Sequence, residues 1–354
     1  MRSLDRYVAK QVLGMIALVI LVIVGIYAVF VFVGEVGELG KGNYGLLNAV
    51  LYVLFSIPQN LVFILPIASL LGTLIALGQL ATHAELTAMR ASGVSISRLA
   101  LALLRPALAL AFLSFVVSAF IAPFSAEEAL LTQLSAKQQN RSFLLLPEAT
   151  WLKSGSDFVF IQKSDSQGQL QNIVKYHFEK GQLVQITSAK EADFEQGSWH
   201  LTQVQELYLS EQGVSSRTLP EVVWPQLVPP QVLKAITENE TNLTLPRLYQ
   251  YVDYRKSNGL DVQAYLLRIW QIYAQPVSII VLMLIGLPFA FGQLRSSTLG
   301  LRLAIGVALG LGFFLSDRFF GPFVLVFHWP PFLGAFLPDL LFLGLAGVLF
   351  IRLR

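Results

Sequence analysis

Six stretches of this chain are long and apolar enough to cross a lipid bilayer as helices. A membrane-spanning helix needs about 20 apolar residues, because each residue rises about 1.5 Å through roughly 30 Å of hydrocarbon. A water-soluble globule could not cover so much apolar surface, since 55% of the residues are hydrophobic and only 13% are charged. We therefore predict a polytopic α-helical membrane protein with six transmembrane helices at roughly 12–34, 58–82, 105–126, 269–293, 300–322 and 331–352.

Two of these stretches need comment at their starts. The first is longer than the apolar region of a signal peptide, about 7 to 15 residues, so it is predicted to be a retained span. The charge-free sequence around the second span runs from Gly45 to Thr82 and contains Pro58 and Pro66. Because proline often breaks a helix, we predict an interfacial helix at 45–57 and a span that begins at Pro58.

Basic residues mark one side of the predicted membrane. Six spans place both termini on the same side, and cytoplasmic loops are enriched in Lys and Arg. The opposite short loop, 35–43, carries Glu35, Glu38 and Lys41. The termini are therefore predicted to be cytoplasmic, and the net charge of +3 needs no nucleic-acid partner. The basic residues on the terminal side are Arg2, Arg6, Lys10, Arg90, Arg98, Arg105, Arg295, Arg302, Arg352 and Arg354.

The segment between the third and fourth spans, 127–266, has the pattern of a β-rich domain outside the membrane. Short apolar runs alternate there with polar residues, which is typical of half-buried strands. An antiparallel sandwich or roll with one apolar face is predicted, followed by a helix at 245–254 that leads back to the membrane. The candidate strands are 143–152, 157–163, 170–178, 182–188, 198–209 and 214–224.

This pattern divides the chain into three parts. Residues 1–126 form the first three transmembrane helices, 127–266 form the external domain with its helical connector, and 267–354 form the last three helices. The long apolar segments and the inserted domain together define the predicted fold class.

The sequence carries no sign of bond chemistry. It has no cysteine, its four histidines lack metal-ligand spacing, and no Gly-x-x-x-x-Gly-Lys-Ser/Thr loop occurs. No catalytic residue, metal or cofactor is therefore predicted. Energy for transport would come from an ion gradient or from a separate ATPase. A membrane-anchored external enzyme is a further alternative, for which no nucleophile motif is present.

The loop between the second and third spans, at about 83–93, is the candidate for receiving force from such an ATPase. Helix-forming residues and a terminal glycine predict a short helix that presents Glu85 and Met89 to a partner groove. A solvated turn lying on the lipid headgroups explains the same spacing.

Several segments resemble the LptF/LptG permease family. They are Leu4 to Tyr7, Pro66 to Gly72, Glu85 to Gly93, Lys256 to Gly259, Phe291 to Ser296 and Asp317 to Pro322. The resemblance covers nearly the whole chain, and the amino-terminal and loop segments are more similar to the G-type subunits than to the F-type ones. It implies an inner-membrane permease that exports lipopolysaccharide, with a β-jellyroll-like periplasmic domain.

The same resemblance implies the partners. They are a homologous LptF-type permease subunit, a cytoplasmic ABC ATPase dimer, a single-span jellyroll protein of the LptC type, and a soluble bridge protein. Lipopolysaccharide would be taken from the inner membrane and passed to that bridge.

Residue roles follow from the matched segments. Glu85 would pair with a basic residue of the ATPase, Ala88 and Met89 would fill its groove, and Arg90 and Gly93 complete the coupling segment.

Relatives in the family place basic residues at the outer end of the first span to hold lipid phosphates. This chain has Glu35 and Glu38 there and only Lys41 nearby. An apolar wall for acyl chains, made by Tyr27, Phe30 and Phe32, is retained.

Arg318 is the basic candidate at the opposite membrane surface. It lies 16 residues beyond Arg302, about 24 Å along a helix from the cytoplasmic face, and Asp339 lies 13 residues before Arg352, about 20 Å from the same face. An ionised group at that depth faces a partner or a wet cavity. Arg318 is predicted to bind anions with Asp317 beside it, or else to form a structural pair with Asp317 or Asp339. Lys137 and Arg141 are further candidates for anion binding.

Overall fold

The fold is taken from a computed structural model, which describes residues 2–136, 149–164, 169–195, 197–210, 213–224, 233, 242–291 and 298–352. The predicted strand residues 143–148, the loop 292–297, and Lys137 and Arg141 lie outside this described part. The chain divides into two compact units, one of 1–132 with 263–354 and one of 133–262.

The first unit is built from helices that include six candidate membrane spans. The predicted number of transmembrane helices is therefore confirmed. The helices are α1 (Arg2–Val36), α2 (Leu46–Thr82), α3 (Glu85–Ala91), α4 (Ile96–Val116), α5 (Ala122–Ala136), α7 (Gln263–Phe291), α8 (Leu299–Val326) and α9 (Pro331–Ile351), and a π-helical turn at Val117–Ile121 joins α4 to α5.

Helix α2 corrects the prediction of a separate interfacial helix at 45–57. It is one helix of 37 residues, with Pro58 and Pro66 inside it. A proline in a membrane helix is tolerated when neighbouring polar side chains bond to nearby carbonyl groups. Around Pro58, Ser56 Oγ donates to the carbonyl oxygen of Val53 at 2.8 Å and Asn60 Nδ2 to that of Ser56 at 3.0 Å. The helix continues through both prolines, and these two side chains add hydrogen bonds within the turn around Pro58.

The third span begins earlier than the predicted residue 105 and continues through the π-helical turn. Arg98 and Arg105 lie within α4, where both bind Asp5 of α1, at 3.2 Å and 3.0 Å. Asp5 is buried, whereas the two arginines keep contact with solvent. The ion pairs with Asp5 allow basic residues to lie within the helix. The third span therefore extends beyond the uninterrupted apolar stretch from which its start was predicted.

Helix α2 is the centre of this unit. Of its apolar segment 72% is buried, against 6% in α1 and 17% in α8. Gly72 permits the close approach of α1, because a Cβ there would lie 2.5 Å from Ile16 Cγ1. Small residues at such points are the usual means by which membrane helices pack. Helices α1 and α8 therefore keep most of their apolar surface outside the unit.

The second unit contains six strands in a single antiparallel sheet. The strand order is sequential, β1 to β6, so each strand pairs with the next along the chain. The inserted antiparallel domain is thus confirmed. Among the described strands there is one sheet, so the predicted sandwich of two sheets is not present there. The strands are β1 (Thr150–Ser154), β2 (Asp157–Ser164), β3 (Leu170–Glu179), β4 (Gln182–Glu195), β5 (Ser198–Ser210) and β6 (Gly213–Trp224).

One face of the sheet carries the core of this unit. Trp199, Leu201 and Val204 of β5 are fully buried against Leu170 and Ile173 of β3 and their neighbours. The predicted inward face of β5 is shifted by one residue at Gln203, whose φ is 53°. The register with β4 and β6 is the same on both sides of Gln203, so the left-handed backbone at this one residue, and not an inserted residue, leaves Val204 buried and Gln203 exposed.

The sheet is curved, as in a roll. Lys175 of β3 lies 4.7 Å from the ring of Trp224 of β6. In a flat sheet strands three places apart are separated by roughly 14 Å. The contact therefore brings two distant strands toward each other over the buried face.

Helix α6 (Leu245–Ser257) fastens the β1–β2 hairpin. Tyr254 Oη donates to the carbonyl oxygen of Lys153 at 2.9 Å, and Gly155 N donates to Asn258 Oδ1 at 2.7 Å. Burial raises the pKa of the Tyr254 phenol, so the hydroxyl keeps the proton that it donates. The predicted connector helix is present, and it continues beyond the predicted residue 254 to Ser257, where Asn258 and Gly259 follow it.

Candidate functional site

Helix α3 is a short helix in the turn between α2 and α4. Ala84 precedes it with a left-handed backbone, at φ 59°, and reverses the chain after α2. Gly93 follows it at φ 89°, a conformation that favours glycine, and Ser92 Oγ donates to the carbonyl oxygen of Met89 at 2.8 Å. The predicted segment 83–93 therefore contains a helix between two defined turns.

One face of α3 is locked into the helical unit. Leu86 is 2% exposed and Met89 is 9% exposed, and both join the cluster that contains Val8 and Val12 of α1 and Leu287 of α7. Met89 thus packs inside the helical unit, whereas the sequence predicts that the short helix presents it to a partner groove. The helical period explains the difference, because Leu86 and Met89 are three residues apart and share a face.

The other face of α3 is accessible. Ala88 and Arg90 are exposed, and Glu85 is half-buried. Tyr7 Oη of α1 donates to Glu85 Oε2 at 2.8 Å, and the Arg90 guanidinium lies 5.6 Å from the ring centre of Phe291 at the end of α7. Gly93 is exposed beyond the helix. The structure therefore brings Glu85, Ala88 and Arg90 to one surface and separates Met89 from them.

The preceding turn of α2 holds a buried arginine. Arg302 of α8 is 3% exposed and donates from Nη2 to Thr82 Oγ1 at 2.6 Å. Its side chain lies across Gly78, where an added Cβ would be 2.6 Å from Arg302 Cδ. A close-packed, charged side chain thus joins α8 to the end of α2, immediately before α3.

The three aromatic residues predicted to form an acyl-chain wall lie on α1 but face different ways. Tyr27 Oη accepts a hydrogen bond from Asn60 Nδ2 of α2, so its polar end is turned to the neighbouring helix. Phe30 is 73% exposed, and Phe32 is half-buried. Of the three, Phe30 therefore offers most of the free apolar surface.

The loop after α1 ties its own charges together. Lys41 Nζ lies 2.8 Å from Glu38 Oε1, and Tyr44 Oη donates to the buried carboxylate of Glu35 at 2.8 Å. Burial, with the Glu35 hydrogen bond, raises the pKa of the Tyr44 phenol. Lys41 is 59% exposed and already has a counter-charge, so its positive charge is partly neutralised.

Arg318 is exposed on α8, within the predicted depth of the membrane. Its guanidinium lies 5.1 Å from the ring centre of Phe63 of α2 and 5.4 Å from that of Phe314. Aromatic faces attract a cation and hold the flat guanidinium while leaving its edge donors free. The structure therefore presents Arg318 outward between two rings.

The two carboxylates near this depth, Asp317 and Asp339, have different surroundings. Asp317 lies close enough to Arg318 and Arg268 for both positive charges to act on it. Asp339 is 3% exposed, and within the described part of the chain neither of its carboxylate oxygens has a hydrogen-bond partner. Ser278 lies beside Asp339 but donates to the carbonyl oxygen of Ala274 at 3.2 Å. Among the residues that the structure describes, no ion pair or hydrogen bond joins Arg318 to either carboxylate, and both structural pairs stay predictions.

Sequence reasoning missed four residues of the coupling region. Leu86, Tyr7, Thr82 and Arg302 gained their roles from tertiary contacts, which a one-dimensional pattern does not contain. A signal for Tyr7 was available, because it lies in the amino-terminal segment that resembles the permease family.

The histidines of the second unit pair with carboxylates, His177 with Asp157 and His200 with Glu221.

Comparisons with known proteins decide the family. The model of the lipopolysaccharide export system permease LptF/LptG matches residues 6–352. The lipopolysaccharide export system permease protein LptG of Escherichia coli strain K12 is 32% identical over 341 residues, covering 95% of this chain and 94% of that protein. LptG of Haemophilus influenzae is 31% identical over 355 residues, covering 99% of both chains.

This chain belongs to the LptF/LptG permease family. The relatives that match it carry the G-type name, in agreement with the resemblance of its amino-terminal and loop segments. Together with the six apolar helices, family membership makes the chain a multi-pass inner-membrane permease. In this LptF/LptG permease, two features are the candidate functional sites. They are the helix between the second and third spans and the exposed arginine of the fifth span.

Proposed function

We propose that this permease is a subunit of an ATP-driven lipopolysaccharide exporter and that α3 receives the motion of a separate cytoplasmic ATPase. In this proposal both termini and α3 lie in the cytoplasm, and the sheet domain lies in the periplasm. Lipopolysaccharide leaves the inner membrane through a cavity shared with a homologous subunit. It then passes along periplasmic jellyroll proteins toward the outer membrane.

The geometry of α3 is the observation that carries this proposal. Its inner face, Leu86 and Met89, is packed in the core of the helical unit, whereas Glu85, Ala88 and Arg90 remain at the surface. A solvated turn on lipid headgroups would not need a buried anchor. A rigid helix with such an anchor transmits an applied force to the spans. Met89 accordingly holds α3 to the permease in our proposal, and Ala88 and Glu85 form the docking surface.

The charge on Glu85 fits a basic partner. Tyr7 uses Oε2, so Oε1 can accept a hydrogen bond from an arginine or lysine of the ATPase. Charge-assisted bonds of this kind are among the stronger polar contacts. Arg90 adds a second charged group on the same helix.

Arg318 is proposed to bind a phosphate of the lipid. Its guanidinium is exposed, is held flat by Phe63 and Phe314, and keeps free donors for an anion. Lys41 is the weaker candidate because Glu38 already neutralises it. The exposed Phe30 on α1 is suited to acyl chains.

Charge reversal at Glu85 tests the coupling role. In Glu85→Lys, a basic ATPase residue meets a like charge, so the amount of ATPase that co-purifies with the permease should fall at least about tenfold. The matched control is Glu195→Lys, which makes the same charge change at an exposed residue of β4. Equal recovery of ATPase and equal lipopolysaccharide transfer in the two variants would exclude Glu85 as the contact.

The orientation can be measured directly, because the chain has no cysteine of its own. A membrane-impermeant thiol reagent should label Ser92→Cys only from the cytoplasmic side and Ser215→Cys only from the periplasmic side. Both positions are exposed in their own units. Labelling from the reverse sides would contradict the orientation.

An ion-coupled carrier is the second candidate function, because Asp339 is a buried carboxylate on a membrane helix. Such residues often mark ion pathways. The two candidates differ in their energy source. Lipid transfer that follows an imposed proton gradient without ATP would favour the carrier.

A further inference from the structure

Two hydrogen bonds join the α2–α3 turn to the two spans that keep most of their surface outside the helical unit. One runs from Tyr7 of α1 to Glu85, and the other from Arg302 of α8 to Thr82. Only two residues, His83 and Ala84, separate Thr82 from Glu85 in the sequence, so both bonds hold one short element. Helices α1 and α8 are also the spans whose apolar segments are least buried.

We propose that Tyr7 and Arg302 are positioning residues that fasten the turn to α1 and α8, so that a push on α3 moves these two spans together. This inference rests on the proposed function, since it takes α3 to be the helix that the ATPase pushes. It adds the contacts through which the motion of α3 reaches α1 and α8.

The first link is a single, well-defined contact. The Tyr7 hydroxyl reaches Glu85 across 2.8 Å from the first turns of α1. Two residues earlier, the Asp5 carboxylate binds Arg98 and Arg105 of α4. The start of α1 is thus fixed to the helix that follows α3 as well as to α3 itself. A displacement of α3 cannot leave α1 behind without breaking one of these contacts.

The second link is buried at its arginine, whereas Thr82 is exposed. Arg302 is 3% exposed, its Nη2 donates to Thr82 at 2.6 Å, and its Nε has no hydrogen-bond partner among the residues that the structure describes. A buried charged group with so few partners is costly and requires a reason to be retained. Its long side chain lies across Gly78, which leaves it room and prevents it from sliding along α2. The hydrogen bond to Thr82 therefore connects Arg302 to the end of α2.

Close packing on α2 complements these two links. Gly72 of α2 admits Ile16 of α1, and Gly306 of α8 admits Leu71 of α2, where an added Cβ would lie 2.5 Å and 2.6 Å from the neighbouring side chains. Such packing moves neighbouring helices together along their length. The two hydrogen bonds add a directional contact at the level of α3, where α1 and α8 meet the turn that is pushed.

The test uses the complete exporter in liposomes and measures lipopolysaccharide transferred per ATP hydrolysed. Tyr7→Phe and Thr82→Val each remove one hydroxyl and keep the shape of the side chain. Thr82→Val removes two hydrogen bonds, because Thr82 Oγ1 accepts from Arg302 and also donates to the carbonyl oxygen of Gly78 at 2.9 Å. Loss of one hydrogen bond shifts an equilibrium by about fivefold. We expect transfer per ATP to fall by about that factor in Tyr7→Phe and by at least that factor in Thr82→Val, with the amount of co-purified ATPase unchanged. Thr82→Ser keeps an acceptor for Arg302 and should restore transfer.

Unchanged transfer per ATP in both variants would overturn this inference and leave the proposed function intact. If the wild-type complex itself transfers no lipid with ATP, the proposed function fails, and the links are then judged by stability alone. A double-mutant cycle of Tyr7→Phe with Glu85→Ala, which removes the acceptor of the Tyr7 hydroxyl, supplies that measurement. Melting shifts that add independently would overturn the Tyr7 link, whereas shifts that do not add would support it.

Discussion

Gly78→Ala is the most direct perturbation of the packing around Arg302. A methyl group at this position would lie 2.6 Å from Cδ, 2.7 Å from Nη1 and 2.8 Å from Nε of Arg302. Carbon atoms in contact are about 3.5 to 4.0 Å apart, so roughly 1 Å of displacement is needed. Either the arginine leaves Thr82, or α2 and α8 separate.

The magnitude follows from competing terms. Overpacking a well-filled site costs about 1 to 3 kcal/mol. A lost hydrogen bond from a charged donor costs about 1.5 to 3 kcal/mol. Replacing a helical glycine by alanine returns up to about 1 kcal/mol. The variant is therefore expected to be about 1 to 2 kcal/mol less stable than the wild type, and its transfer of lipid per ATP should fall.

A matched control separates packing from helix propensity. Gly300 lies in the first turn of α8, and nothing lies within 4 Å of a Cβ added there. Gly300→Ala should therefore melt no lower than the wild type. Both proteins are purified in the same detergent and compared by thermal unfolding. If Gly78→Ala is as stable as Gly300→Ala, then Arg302 does not occupy the space above Gly78 and the reasoning is refuted.

Two further outcomes are expected. Replacing both Arg98 and Arg105 by alanine should lower the melting temperature more than Asp5→Asn does, because the double variant leaves a buried carboxylate unpaired whereas Asp5→Asn frees two solvated arginines; equal shifts in thermal unfolding would contradict this. Arg318→Ala should reduce co-purified lipopolysaccharide more than Lys41→Ala, because Glu38 already neutralises Lys41. A lower melting temperature with normal lipid per folded protein would show Arg318 to be structural.

The sequence predicts the membrane helices well because the bilayer imposes a length and a composition on each of them. It fails where tertiary packing decides. The sequence predicts that Pro58 ends a helix, but α2, packed among the other helices, continues through it. Local propensity is a weak guide when other elements satisfy the backbone.

The candidate site divides in the same way. Spacing and resemblance predict that 83–93 contains a helix, and α3 is found there. They could not predict which face of a seven-residue helix is buried, because Leu86 and Met89 are both apolar and only the surrounding helices distinguish anchor from surface. The Tyr7 and Arg302 contacts join residues 78 and 220 positions apart, which no local pattern records.

The sheet domain shows a third limit. Alternation of apolar and polar residues predicts strands, but the left-handed backbone at Gln203 shifts the buried face in the middle of β5 while the register with β4 and β6 stays the same. The arrangement of one sheet or two depends on curvature, which the contact between Lys175 and Trp224 shows and the alternation does not.

The central claim is that ATP hydrolysed by a separate cytoplasmic protein drives lipopolysaccharide out of the membrane through this permease. It is tested by purifying the permease with the subunits that accompany it and placing the complex in liposomes that contain lipopolysaccharide. Transfer to a soluble jellyroll acceptor is then measured with ATP, with a non-hydrolysable analogue, and with an imposed proton gradient. We expect transfer only with ATP, and only when the ATPase is present. Transfer with the gradient alone, or with the ATPase removed, would contradict the account.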